Sequence, residues 1–141
     1  MPNASLSTNA KGAIACAVFD QHALERGGVV SIPLVEARYD RVLDLDGKVY
    51  RVQVKYCDRL SSRSSGSILV DLASYGSGRQ LSAGYDGCEV DTVVVYLPSV
   101  NALCWFDPAD YEGKSTLTLR LTPPKNRQRH GIRLYSDYVW S

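Results

Sequence analysis

The chain has 141 residues, of which 45% are aliphatic, aromatic or cysteine and 22% are charged, a balance that fits one globular domain over 1–141 and excludes a disordered or fibrous chain. Sixteen Lys and Arg against fifteen Asp and Glu leave a net charge of +1, so bulk charge names no partner. Its distribution is polar, however. Lys114, Arg120, Lys125, Arg127, Arg129 and Arg133 follow one another with no acid between them, whereas residues 86–112 carry Asp86, Glu89, Asp91, Asp107, Asp110 and Glu112 with no Lys or Arg. Such a pattern puts a basic face on a nearly neutral protein.

In chain order, the first ten residues are polar and lack the charged-then-apolar order of a signal peptide. Residues 10–26 predict a helix: Ala13, Ile14, Ala17, Val18 and Leu24 recur at helical spacing, Asn9 is the expected cap, and Gly27-Gly28 the stop. Val29 to Pro33 predicts a short strand. Two β-rich runs then flank Asp46-Gly47, the dipeptide that favours a two-residue type I′ hairpin turn. Residues 59–66 and 74–87, rich in Ser, Gly and Arg, predict loops around a strand at Ser67 to Ala73. Val90 to Tyr96 and Ala102 to Phe106 are expected as central strands, Asp107-Pro108 as the start of a short helix, and Thr116 to Leu121 as a further strand. Val93 to Leu97, the longest apolar run, has the length of a buried strand and cannot span a membrane. One early helix followed by mostly antiparallel strands predicts an α+β or mixed α/β fold. Cys16, Cys57, Cys88 and Cys104 form no CxxC, and there are two His. The expectation is therefore neither a zinc site nor a disulfide framework, but a reducing, cytoplasmic setting.

The hairpin carries the chemistry. With a two-residue turn at Asp46-Gly47, the numbers of facing residues sum to 93, so Leu45 faces Lys48, Leu43 faces Tyr50 and Asp40 faces Gln53. Lys55 projects on the same face as Gln53, one step on, unless a β-bulge shifts the register. A carboxylate and an amide oxygen are hard ligands of the kind Mg²⁺ takes. A neighbouring Lys can orient or deprotonate a water, or neutralise charge on a phosphorane-like transition state. The competing reading is an idle polar cluster at a sheet edge.

The order Lys11-Gly12, Ser31-Ile32-Pro33, Arg38-Tyr39-Asp40 and Tyr50-Arg51-Val52-Gln53-Val54-Lys55 resembles the PD-(D/E)XK nuclease superfamily. The branch it resembles contains cyanobacterial group I intron homing endonucleases and related archaeal and phage nucleases, and often has Gln where the superfamily motif has Asp or Glu. Pro123-Pro124-Lys125-Asn126-Arg127-Gln128, Gly131-Ile132-Arg133 and Asp137-Tyr138 are similar too. The resemblance implies a metal-dependent double-stranded DNA endonuclease with a restriction-endonuclease-like core. It also implies a homodimer or homotetramer, which would place two sites on opposite strands. Mg²⁺, or Mn²⁺ in its place, would be held by Asp40, the Gln53 amide and the Val54 carbonyl, with Lys55 positioning the attacking water. Related sequences carry a Glu on the first helix where this chain reads Ala15-Cys16-Ala17. Asp20, one helical turn beyond Cys16, is the expected substitute, against the alternatives of a solvated residue or a degraded site.

Arg59 and Arg63 in the Ser/Arg loop, Arg79 in the Gly-rich stretch, and Lys125, Arg127, Arg129 and Arg133 in the tail are the expected DNA contacts. Neither GxSxG, a P-loop nor GxGxxG occurs, so neither a serine nucleophile nor a nucleotide cofactor is expected. Two other readings stay open: a structure-selective resolvase of the Holliday-junction type, and a DNA-binding protein with impaired catalysis.

Overall fold

Ser7, not Asn9, caps the first helix: its hydroxyl accepts the Ala10 amide at 3.1 Å, and the helix, α1, runs Thr8–Glu25. The computed structural model describes residues 5–61, 66–72, 74–76, 79–81, 89–123 and 132–141, with backbone alone at 74–76 and 79–81. The buried face of α1 is Ala15, Phe19 and Ala23. It is not the expected stripe, since Ala13, Ile14, Ala17 and Leu24 are exposed. Apolar residues occur around much of this helix, and Phe19 selects the face because small Ala residues one turn to either side let the backbone approach the sheet. Gly28 marks the same closeness, because a Cβ there would meet Leu43 Cδ1 at 2.9 Å and the Ala23 carbonyl at 3.0 Å.

Nine strands follow among the described residues: β1 (Val29–Ser31), β2 (Arg41–Leu45), β3 (Lys48–Tyr56), β4 (Ser67–Asp71), β5 (Ser74–Gly76), β6 (Arg79–Leu81), β7 (Thr92–Leu97), β8 (Ala102–Phe106) and β9 (Thr116–Arg120). The sheet under α1 has the order β1-β2-β3-β7-β8. The β2–β3 turn is the expected one: Asp46 and Gly47 have φ of +53° and +80°, and Leu45 pairs with Lys48 and Leu43 with Tyr50. β3 and β7 run parallel and the other neighbours antiparallel, giving a mixed sheet with one flanking helix. β8 ends that order rather than lying centrally as expected, and Cys104 bridges onward to Val139.

The antiparallel pair β4 and β9 packs against the opposite face. Within 74–87, expected as loop, β5 and β6 pair antiparallel. Asp107-Pro108 does open a helix, α2 (Pro108–Tyr111). Two cores result. Ala15, Phe19, Leu43, Val52, Val54 and Val94 pack under α1; Ile68, Val70, Val93, Val95, Phe106 and Tyr111 pack on the far face. The end of the chain packs on the sheet, with the Trp140 amide donating to Leu103 O at 2.8 Å and its ring stacked on Phe19 at 5.6 Å. Cys16, Cys57 and Cys104 are free thiols. No helix among the described residues is long and apolar enough to cross a membrane.

Candidate active site

Backbone alternation along β3 creates the site. Arg51 O accepts the Asp91 amide at 2.9 Å and the Cys57 amide donates to Tyr96 O at 2.9 Å, so these odd-numbered residues turn their backbone groups to the β7 side. Val52 and Val54 therefore turn theirs towards β2. The β2 ladder stops at the pair Arg41–Val52, which leaves a notch beside Val54. Asp40 fills it. Its amide donates to Val52 O at 2.8 Å, and its carboxylate Oδ2 accepts the Val54 amide at 3.0 Å. The expected pairing of Asp40 with Gln53 does not extend the ladder: the chain shifts there, and Asp40 engages Val54 instead.

Asp40 is approached from both faces. Cys16, half-buried on α1, interacts electrostatically with it from the helix side, and Lys55 does so from the other. Burial raises the pKa of Asp40 above the ordinary carboxylate value, opposed by the Val54 hydrogen bond and by the charges of Arg41 and Lys55. Burial also lowers that of Lys55, which weakens the ammonium's hold on its proton. Gln53 and Lys55 line a cavity of about 540 Å³ together with Lys11, Asp58, Arg59 and Asp71.

A divalent cation fits this donor set. Asp40 Oδ2 is held by one amide and its Oδ1 has no hydrogen bond among the described residues, so a half-buried anion is left with room for a cation. The neighbouring donors, the Gln53 amide oxygen and the Val54 carbonyl, are hard and neutral. Among the described residues no three His, Cys, Asp or Glu side chains gather as a metal cluster, so water and phosphate would complete the coordination.

Asp20 is committed elsewhere. Arg41 donates to its two carboxylate oxygens at 2.8 and 3.2 Å and to the Asp40 carbonyl at 2.9 Å. Asp20 thus stands beside the notch with its charge already paired. Arg59 is exposed at the cavity mouth, and Arg133 is half-buried with its carbonyl accepting the Arg120 amide at 2.8 Å. The Arg79 side chain and all of Arg63, Lys125, Arg127 and Arg129 lie outside the described residues.

Two further contacts at the site carry no local signal in the sequence. Lys11 Nζ lies 2.8 Å from Asp58 Oδ2 and 5.7 Å from the centre of the Tyr56 ring, at the cavity edge; nothing nearby in the chain announces a pairing of residues 47 apart. Asp71, at the end of β4, lies within electrostatic reach of Lys55, and that proximity depends on how the second sheet docks.

The PD-(D/E)XK endonuclease family model matches residues 6–141. No curated protein matches. Among solved structures, the chain is similar to a bacterial homing endonuclease, I-Ssp6803I, with 26% identity, a TM-score of 0.75, and coverage of 95% of this chain and 89% of that one. The match of fold and motif order makes this chain a member of the PD-(D/E)XK endonuclease family and a DNA endonuclease.

Proposed function

We propose that the protein hydrolyses phosphodiester bonds of double-stranded DNA at specific sites, using Mg²⁺ or Mn²⁺. The observation that carries this reading is the notch at the end of β2, where a half-buried carboxylate meets a strand-end backbone beside a partly desolvated lysine. Asp40, the Gln53 amide and the Val54 carbonyl would hold the cation, which would supply charge neutralisation at the scissile phosphate. Lys55 orients the attacking water and offsets negative charge as it grows on the phosphate oxygens. Asp20 supports the site from its edge by fixing Arg41 against the Asp40 carbonyl. Two copies, in a homodimer or homotetramer, would address both strands. Supercoiled plasmid should be cut with Mg²⁺ and left intact in EDTA. Discrete fragments from linear DNA would support site specificity, whereas cutting confined to branched DNA would favour a resolvase. Binding with no cleavage in either metal would overturn the hydrolytic reading.

The cavity-edge pair yields a binding prediction. Lys11 and Asp58 are both partly exposed, and such pairs yield readily to a competing anion. A DNA phosphate would take Lys11 from Asp58. Lys11→Ala should therefore weaken metal-free DNA binding and reduce the slope of log K against log salt by about one. Asp58→Asn should tighten binding. Equal salt slopes for wild type and Lys11→Ala would remove Lys11 from the interface.

A further inference from the structure

After β3 the chain turns back along β4. Leu60 bridges Ile68 antiparallel, with the Leu69 amide donating to Arg59 O at 3.0 Å and the Ser61 amide to Ser67 O at 2.9 Å. Asp71 lies three residues beyond Ile68 at the end of β4, and it lines the same cavity as Gln53 and Lys55. The position is rigid: Asp71 pairs with Thr116 on β9, the next amide, Leu72, donates to Ser115 O at 2.8 Å, and Val70 and Leu72 are fully buried on either side. Asp71 is itself exposed, on the cavity wall that also holds Lys55. Lys55 thus has two carboxylates within electrostatic reach, Asp40 from the notch and Asp71 from the second sheet.

We propose that Asp71 is a positioning residue, which holds the Lys55 ammonium towards the cavity so that it meets the attacking water; this rests on the hydrolytic role given to Lys55 above. Asp71 lines the cavity together with Lys55, and Asp40 is not part of that lining, which suits Asp71 to Lys55 rather than to the Asp40 cation site. The long, flexible Lys side chain has many rotamers, and an anion fixed on a paired strand narrows them.

Asp71→Asn is expected to lower kcat for plasmid cleavage by about tenfold, with KM for DNA and the Mg²⁺ concentration for half-maximal rate unchanged. Asp71→Glu should recover part of the loss. A raised Mg²⁺ requirement with full kcat at saturating metal would make Asp71 a ligand and overturn the positioning role. A second readout needs no cleavage. In thermal melts, Asp71→Asn should shift Tm in the wild-type background and much less in a Lys55→Met background, because the pair is coupled. Equal shifts in both backgrounds would overturn the proposal. Absence of cleavage by the wild-type protein would instead overturn the hydrolytic reading, while the melts still decide the pair.

Discussion

Asp40→Asn is expected to lower metal-dependent cleavage by about 10²- to 10³-fold while raising the melting temperature at pH 7. Both effects have one cause, the withdrawal of a carboxylate from water into the notch. Burial raises its pKa despite the pull of the Val54 amide, Arg41 and Lys55 in the other direction. A carboxyl whose folded pKa exceeds its unfolded one binds protons more readily in the fold, so it detracts from stability as pH climbs through that window. Asn still offers an oxygen to the Val54 amide and carries no charge. Its advantage should be present at pH 7, fade as pH falls through the raised carboxyl pKa, and be gone below the ordinary value of 3.8. Melts at several pH values, with and without Mg²⁺, check this: the cation should stabilise the wild type and leave the variant unmoved. A variant less stable than wild type at pH 7 would show that the carboxylate's contacts outweigh its burial.

The parts of the site built by local rules are legible in the sequence. Asp46-Gly47 demands two positive φ values, and the register of β2 and β3 follows from that turn alone. Alternation then puts Gln53 and Lys55 on one face. Where β2 stops is not legible. The shift that turns Asp40 from Gln53 to the Val54 amide depends on backbone bonding at the strand end, which no side-chain pattern announces. The helix face is ambiguous for a related reason: Ala13, Ile14 and Ala17 satisfy the apolar period as well as Ala15 and Ala23 do, and only docking against Leu43, Val52 and Val94 decides between them. Asp20 and Asp71 show the same limit from two sides. Asp20 has the right helical spacing from Cys16, yet Arg41 of the neighbouring strand takes its charge. Asp71 has no distinguishing neighbours in sequence, and becomes relevant only when β4 folds back along the end of β3. Long-range charge pairing, in both cases, is set by tertiary contact.

Cys16→Glu should convert the notch into a tighter metal site, and its effect on stability should reverse sign with metal. Cys16 is half-buried, and its thiol pKa is raised by burial first and then by Asp40, with Arg41 opposing and Asp20 adding to the rise. A Glu at this position would bring a second carboxylate to Asp40, and Arg41 cannot fully neutralise it because both Asp20 oxygens already hold that guanidinium. In EDTA the variant should therefore melt below wild type, by repulsion between two partly buried anions. With Mg²⁺ the same two charges become ligands, and the concentration needed for half-maximal cleavage should fall by about tenfold. At about a hundred times the variant's dissociation constant, and so about ten times that of wild type, metal stabilises the variant by about 2.7 kcal/mol against about 1.4 for wild type. This net gain of about 1.3 kcal/mol brings the melting temperature above that of wild type once it exceeds the repulsion seen in EDTA. Asp20→Asn is the contrasting variant. It frees Arg41 beside Asp40, so an added positive charge should weaken Mg²⁺ binding without loss of metal-free DNA affinity. A Cys16→Glu protein that melts equally low with and without Mg²⁺ would show that the helix does not deliver this side chain to the cation, and that Asp40, Gln53 and Val54 hold it without help from α1.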